Sequence, residues 1–187
     1  METNNKESNH SFIIETSHLI IRPFHETDWK DLFEYLSLEE IYKFEPGEPI
    51  DTKIAQEVSK ERSSKNEFYA VVLKTENKMI GHLYFNIIEP KHLNTYELGF
   101  IFNPKYQKKR YGTESAKELV KFGFSHLKIH RIVANCNPLN ISSWKLLENI
   151  GMKREGYLIK NIYFRNDIDG NPIWQDTYEY AILNGNE

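Results

Sequence analysis

The sequence predicts a mixed α/β fold with a central mixed sheet, largely antiparallel, of about seven strands and about four helices. Three observations lead to this class. Two helical patterns come early, three β-rich runs with short turns follow, and the second half alternates strand, helix, strand, helix and two final strands. No internal repeat or linker divides the 187 residues. We therefore expect a single domain over residues 12–187, after a disordered polar leader at residues 1–11.

The first half of the chain combines β-branched runs with helical patterns. Thr27 is the predicted N-cap of the first helix and Asp51 that of the second, since both are residue types whose side chains accept from free helix N–H groups. Strands are predicted where apolar, β-branched runs are bounded by turn residues. In chain order the predicted elements are strand HLIIRPF (18–24), helix DWKDLFEYL (28–36), helix TKIAQEVSKERSS (52–64) and strands EFYAVVLK (67–74) and KMIGHLYFNII (78–88).

The second half begins with a strand that contains Gly99. A glycine inside a strand indicates a bulge or a close backbone approach, and the alternative is a plain packing glycine. Asp169-Gly170 is a hairpin signal between the last two strands. The predicted elements are strand TYELGFIF (95–102), a helix ending near Leu127, strand HRIVANCN (130–137), helix NISSWKLLENIG (140–151) and strands near 153–165 and 173–183.

Composition argues against several classes of function. The formal net charge of −3 does not favour a nucleic-acid partner, and no apolar run is long enough for a membrane helix. The single cysteine, Cys136, excludes an internal disulfide, and the seven histidines lack metal-ligand spacing, so we expect no metal. Cys136 is expected to be a small core residue rather than a nucleophile. Because the start has no signal-peptide core, the expected location is cytoplasmic.

A basic loop precedes the third predicted helix. In NPKYQKKRYGTESAKELVKF (103–122), three cations follow Gln107, and only Tyr111 separates them from Gly112. A helix N-terminus carries about half a positive charge and several unpaired N–H donors, so it binds anions. None of residues 107–112 is proline, so each keeps its N–H. The loop is therefore a candidate phosphate or pyrophosphate cradle, and the alternative is a solvated basic loop before a surface helix.

This loop and its surroundings resemble the coenzyme A site of the GNAT superfamily of N-acetyltransferases. The likeness is closest to the RimJ/RimL-like branch, the ribosomal-protein N-terminal acetyltransferase type. The family has a Gln/Arg-x-x-Gly-x-Gly/Ala loop after its fourth strand, where this chain has QKKRYG (107–112). The segment NPLNISSWKLLENIGMKREGYL (137–158) is similar to the family's Asn-x-x-Ser helix and the turn after it. The resemblance covers nearly the whole chain, from Leu19 to Leu183.

The resemblance implies acetyl-CoA as the acyl donor, and a fourth and a fifth strand splayed around its pantetheine arm. Where the family usually has glycine, this chain has Lys108 and Arg110. We expect these side chains to point outward and pair with a phosphate; the alternative is that they obstruct the pyrophosphate. The implied cofactor-binding residues are Leu98, Gly99, Phe100, Ile101, Gln107, Lys108, Lys109, Arg110, Tyr111, Gly112, Thr113, Asn140 and Ser143.

The family transfers acetyl directly to an amine, and two side chains are candidate catalytic groups. Glu97, on the strand beside the thioester, is the candidate base; the alternative is a strand glutamate that faces solvent. Ser143 aligns with a serine able to donate to the leaving thiolate, and the alternative is a serine that makes a local helix cap. Asn140 bonds the pantetheine, caps the same helix, or does both.

The expected acceptor is a protein N-terminal α-amine. With a pKa near 8, about one-tenth of such amines are neutral at pH 7, so only weak base help is needed. The alternatives are a small-molecule amine such as a polyamine or an aminoglycoside, and a non-catalytic CoA-binding domain. Glu97, Tyr157 and Asp176 are the candidate acceptor-binding residues, with a structural role as the alternative for Asp176.

The acidic segment SLEEIYKFEPGEP (37–49) borders the acceptor entrance in the family that this chain resembles. Its carboxylates would attract a cationic acceptor; the alternative is a solvated acidic loop. The sequence leaves open whether the protein is a monomer or a homodimer.

Overall fold

A computed structural model describes residues 12–185 of the chain, so the predicted leader and the last two residues lie outside the description. The helices are α1 Trp29–Leu36, α2 Thr52–Ser63, α3 Tyr111–Ser125 and α4 Ile141–Asn149. The strands are β1 Ile14–Glu15, β2 Leu19–Pro23, β3 Phe68–Leu73, β4 Lys78–Ile87, β5 Thr95–Phe102, β6 Arg131–Cys136, β7 Lys153–Asn166 and β8 Pro172–Leu183. Among these helices, none is both long and apolar enough to cross a membrane.

The strands form one sheet in the order β1-β2-β3-β4-β5-β6-β8-β7. All neighbours are antiparallel except β5 and β6, which run parallel. The predicted mixed, largely antiparallel sheet with four helices is confirmed. The sheet has one strand more than predicted, the two-residue β1, which is too short to show the period-two alternation that marks a strand.

The sheet opens between β5 and β6. Their pairing covers only the pairs from Thr95–Arg131 to Glu97–Val133. Beyond this point β5 continues along β4 to Phe102, and β6 continues along β8 to Cys136. The predicted splay of these two strands is therefore confirmed, and it leaves one backbone edge of β5 without a strand partner.

Both faces of the sheet are buried at β3. On β3, Tyr69, Val71 and Leu73 face the core cluster that contains α3 and α4, while Ala70 and Val72 face the cluster that contains α1. Successive side chains of a strand point to opposite faces, so a strand covered on both sides is a continuous apolar run, as FYAVVL is. This double burial fixes β3 and its neighbour β4, on which β5 lies.

Of the two N-caps predicted for the first two helices, the one at Asp51 is confirmed and the one at Thr27 is wrong. Asp51 caps α2 and accepts a hydrogen bond from a first-turn N–H at 2.8 Å. Thr27 does not cap α1, because it lies within the 3-10 turn before the helix, and the N-cap is Asp28. The Asp28 carboxylate accepts from the His25 N–H and from both terminal nitrogens of Arg22, each at 2.8 Å. These charge-assisted bonds fix the helix start one residue later than the sequence predicted.

Candidate active site

A cleft of about 490 Å³ lies where β5 separates from β6. Its walls come from four segments that are far apart in sequence: the turn after α1, the end of β5, the loop and first turn of α3, and the N-terminal part of α4. The cleft therefore exists because the splayed strands bring the starts of α3 and α4 to the same edge of the sheet.

The loop between β5 and α3 presents six consecutive backbone N–H groups, those of residues 108–113. Within residues 12–185, none of them donates to a protein acceptor, and the next N–H, that of Glu114, donates to the Arg110 carbonyl at 2.9 Å. The Gln107 N–H is already used, since it donates to the Pro104 carbonyl at 3.2 Å. The free donors thus begin one residue later than predicted and continue into α3, where the helix dipole adds positive potential. Such an arrangement suits phosphate oxygens.

Two cations of this loop have left-handed backbone conformations. The φ angle is +60° at Lys108 and +66° at Arg110, which costs a residue with a Cβ about 1 kcal/mol. Glycine, which the resembling family usually has at these positions, adopts this conformation without that penalty. Both side chains are exposed and both line the cleft. Lys109 does not line it, and its ammonium lies over the Tyr106 ring, 5.4 Å from the centroid.

Two glycines near the cleft are required by packing. A Cβ on Gly112 would lie 2.8 Å from Leu146 Cδ1 and 3.2 Å from Phe102 Cε2, so glycine lets α3 begin directly against α4 and β5. Gly99 lies opposite Tyr84 in an unshifted β4–β5 register, and the predicted bulge is therefore wrong. A Cβ on Gly99 would lie 3.3 Å from the Tyr84 Cβ, so Gly99 serves close strand packing.

Asn140 and Ser143 lie in the cleft wall at the start of α4. Asn140 is the N-cap, and its side-chain oxygen accepts from the Ser143 N–H at 3.3 Å and from the Ser142 hydroxyl at 3.0 Å. The capping interpretation of Asn140 is therefore confirmed. The Ser143 hydroxyl lies beside the Cys136 thiol, whose pKa it lowers, so Ser143 faces the end of β6 and leaves the cap to Asn140.

Cys136 is buried at the end of β6. Burial raises the pKa of its thiol to about 11. Because the thiolate is the nucleophilic form, this side chain is suited to the core role that the sequence predicted. Within the described part of the chain, no group of three or more His, Cys, Asp or Glu side chains is arranged to hold a metal ion.

A second cavity, of about 200 Å³, adjoins the cleft. Both cavities are lined by the same four residues, Phe44, Glu45, Asn140 and Ser143. The hairpin of β7 and β8 supplies much of the remaining wall. Among residues 12–185, no Lys or Arg lines this second cavity, and three carboxylates do: Glu45, Asp176 and Glu179. The cavity therefore favours a cationic group.

Tyr157 and Asp176 lie side by side on the hairpin. The Asp176 carboxylate accepts from the Tyr157 hydroxyl at 2.6 Å and from the Lys160 N–H at 2.8 Å, and these two bonds lower the pKa of Asp176. Lys160 has a φ of +47°, and the β7–β8 register shifts between Leu158 and Ile162. Asp176 thus has a structural role, because it holds the irregular segment of β7. It also lines the second cavity, which Tyr157 does not.

Glu97 lies where β5 and β6 part. Its carboxylate is half-exposed and accepts a hydrogen bond from the Asn135 side chain at 3.3 Å. Glu97 lines neither cavity, whereas Asn135 lines the second one. The role of Glu97 as a base stays a prediction.

Sequence reasoning missed part of the cleft wall. Lys145, Leu146 and Asn149 of α4 line the cleft together with Ser142. These positions follow the i, i+3, i+4, i+7 spacing of one helix face, so the helix period could have identified them once the start of α4 was placed there. Tyr106 also lines the cleft, and no pattern in the sequence indicates it.

The chain is similar to several known acetyltransferases. The profile of the family described as "Acetyltransferase (GNAT) domain" matches residues 18–153. The uncharacterized N-acetyltransferase YnaD of Bacillus subtilis (strain 168) is 38% identical over 171 residues, which is 91% of this chain and 96% of that protein. The [ribosomal protein uS5]-alanine N-acetyltransferase of Escherichia coli (strain K12) is 25% identical over 157 residues, 77% of this chain and 79% of that one.

Solved structures show the same fold. An acetyltransferase of the GNAT family from Bacillus anthracis superposes with a TM-score of 0.84 at 36% identity, over 92% of this chain and 99% of that one. Spermidine N-acetyltransferase from Vibrio cholerae, in complex with CoA and spermine, superposes with a TM-score of 0.73 at 19% identity, over 90% of this chain and 97% of that one. The second likeness concerns the fold alone.

Proposed function

The chain belongs to the GNAT acetyltransferase family and transfers acetyl from acetyl-CoA to an amine, and on that premise we propose that the acceptor is the α-amine of a protein N-terminus. This proposal includes membership of the RimJ/RimL-like branch. The observation that carries it is the second cavity, which adjoins the cleft and whose wall, in the part of the chain that the structure describes, contains three carboxylates and no Lys or Arg. Its wall also contains Leu158, Ile162 and Phe164, which suit the apolar side chains of a peptide.

Acetyl-CoA supplies an activated thioester, and the cleft fits its charged half. The free N–H groups of residues 108–113 would donate to pyrophosphate oxygens, and Lys108 and Arg110 add positive charge beside them. The backbone of Leu98–Ile101 would pair with the pantetheine arm, because this edge of β5 has no strand partner on the β6 side.

The acid–base demands favour an α-amine. Because such an amine has a pKa near 8, about one-tenth of the molecules are neutral at pH 7, whereas a lysine or polyamine amine near 10.4 is almost entirely charged. A carboxylate base in the site is adequate for an α-amine, and Glu97 is the base that the sequence predicts. We propose that the Ser143 hydroxyl, which lines the cleft, donates to the departing sulfur.

A small polyamine is the second candidate acceptor. Three carboxylates around about 200 Å³ would also hold two or more ammonium groups of one molecule. The spermidine N-acetyltransferase with the same fold makes this acceptor worth including in the test.

The test compares acceptors at one concentration of acetyl-CoA. The panel contains a lysine-free peptide with a free N-terminus, a blocked peptide with one lysine, spermidine and an aminoglycoside, with acetylation followed by mass spectrometry. We expect kcat/KM for the free N-terminus to exceed that for the others by about tenfold or more. Turnover of spermidine without turnover of the peptide would overturn the acceptor, and no turnover of any amine would overturn the transferase function.

Arg110→Gly should weaken CoA binding and stabilise the fold at the same time. The loss of one cation beside the phosphates should raise Kd by roughly 3- to 10-fold. Glycine adopts the φ of +66° without a Cβ penalty, so the free energy of unfolding should rise by about 0.5–1 kcal/mol. Calorimetric titration with CoA and urea unfolding measure the two effects.

Arg110→Ala is the matched control, because it removes the same charge and keeps the Cβ. It should weaken CoA binding equally without the gain in stability. If Arg110→Gly binds CoA more tightly than the wild type, the arginine obstructs the pyrophosphate and the proposed pairing is wrong.

A further inference from the structure

Glu45 lies at the boundary between the two cavities. Among the carboxylates in their walls it is the one that lines both. It is close to the end of β6, because it lines the second cavity together with Cys136. Burial is the main cause of the raised pKa of the Cys136 thiol, and the charges of Glu148 and Glu45 add to it. Ser143, which lies beside Cys136 in the second cavity, lines the same two cavities. Glu45 and Ser143 therefore both lie at the boundary where a ligand in the cleft and a ligand in the second cavity, called the acidic cavity below, would come into contact.

The turn that carries Glu45 is tied to the end of α1. The Leu36 carbonyl accepts from the buried Tyr42 hydroxyl at 2.8 Å and from the Ile50 N–H at 3.0 Å. Between these anchors the chain turns at Gly47, whose φ is +96° and whose Cβ position is 3.4 Å from Tyr42 Cε1. The backbone on both sides of Glu45 is thus fixed, so the carboxylate is held at the boundary of the cavities.

The Glu45 carboxylate has no hydrogen-bond or ion-pair partner within residues 12–185. Two other candidate carboxylates differ, since Asp176 accepts two hydrogen bonds and Glu97 accepts one. Glu45 is half-buried, and burial raises its pKa to about 7. Its oxygens are free to accept a proton, and its pKa lies near the pH at which a general base is most effective.

We infer that Glu45 is the catalytic base of the proposed reaction, an inference that deepens the proposed function and rests on it. The acceptor arrives as an ammonium, and one proton passes from its nitrogen to the Glu45 carboxylate. The nitrogen lone pair then forms the C–N bond with the acetyl carbon while the C–S bond breaks and its electron pair leaves on sulfur. A second proton passes from nitrogen to sulfur by way of the Ser143 hydroxyl. The products are the amide and the CoA thiol, and Glu45 returns its proton to water.

Other titratable and charged groups line the two cavities that Glu45 borders. In the cleft they are Glu40, Tyr106, Lys108, Arg110, Tyr111 and Lys145. In the acidic cavity they are Cys136, Asp176 and Glu179. Every one of these groups is retained in Glu45→Gln, so a difference in pH dependence between the wild type and this variant reports on Glu45 itself.

The first readout is the pH profile of kcat/KM with the best acceptor of the panel. The wild type should show a rising limb near pH 7 that requires the Glu45 carboxylate. Glu45→Gln should lose activity by about 100-fold at pH 7, and its residual activity should rise only as the acceptor amine itself loses its proton. The Kd for CoA should stay within about threefold of the wild type, because the phosphate loop is unchanged.

The second readout is stability, which does not depend on turnover. Because the pKa of Glu45 is higher in the folded chain than the unfolded value of 4.5, the folded state holds the proton more tightly. Its contribution to stability is present below pH 4.5 and is lost as the pH rises to about 7. The unfolding constant of the wild type relative to Glu45→Gln should therefore be higher at pH 8 than at pH 5, by roughly 10- to 100-fold.

Glu57→Gln is the matched control, since Glu57 lies on the exposed surface of α2 and lines neither cavity. It should leave both readouts unchanged. If the wild type turns over its acceptor and Glu45→Gln does so with the same pH profile, the inference fails while the proposed function stands. If Glu97→Gln removes the limb near pH 7 instead, the base is Glu97. If no amine is acetylated by the wild type, the proposed function and the inference fail together.

Discussion

Gly81→Ala should lower the free energy of unfolding by about 3 kcal/mol and the Tm by roughly 6–12 °C. A Cβ at this position would lie 2.5 Å from Phe102 Cδ1 and 2.6 Å from the Ile101 carbonyl oxygen. One of these atoms belongs to the backbone of β5, so relief requires β4 and β5 to move apart. Urea unfolding at a fixed pH measures the loss. Since Ile101 and Phe102 line the cleft, CoA binding should weaken in the same variant.

Gly156→Ala is the matched control, because a Cβ there would also meet an atom at 2.5 Å, the Glu179 Oε2. That atom is the end of a flexible side chain that can rotate away, so the expected loss is below about 1 kcal/mol. Equal losses of unfolding free energy in the two variants would show that the β4–β5 backbone moves as easily as a carboxylate side chain. That result would contradict the expectation that the paired backbones of β4 and β5 resist separation.

Most of the fold follows from local patterns in the sequence. The run FYAVVL predicts a strand because both of its faces are buried, and Asp51 marks the start of α2 because its carboxylate satisfies a free N–H. Thr27 failed as a cap because Arg22, on the preceding strand, fixes Asp28 instead. That contact depends on tertiary structure, which a cap rule based on neighbouring residues does not include.

The candidate site could be predicted only where one segment carries the signal. The basic loop before α3 is such a segment, and the resemblance supplied the serine of α4. Glu45 had no comparable signal, since the acidic segment contains four glutamates and only the fold determines which one reaches the boundary of the cavities. The left-handed backbone at Lys108 and Arg110 was also hidden, because neither residue type favours that conformation.

The other large expected effect concerns the phosphate loop. Thr113→Pro should raise the Kd for CoA by about 10- to 100-fold, as measured by calorimetric titration. The Thr113 N–H is one of the six free donors, and the residue lines the cleft. Proline removes this donor, and because the N–H makes no bond within the helix, the first turn tolerates the substitution. A Tm close to that of the wild type will show that α3 has formed.

Thr113→Ala is the control that separates the backbone donor from the side chain. It removes the hydroxyl and keeps the N–H, so its Kd should stay within about threefold of the wild type. Equal weakening in both variants would assign the effect to the hydroxyl, and no weakening in either would mean that the helix N-terminus does not contact the phosphates. A large difference between the two variants would show that backbone N–H groups bind the negatively charged phosphates of the cofactor. These donors are kept although Lys108 and Arg110 replace the usual glycines, because every residue type except proline carries a backbone N–H.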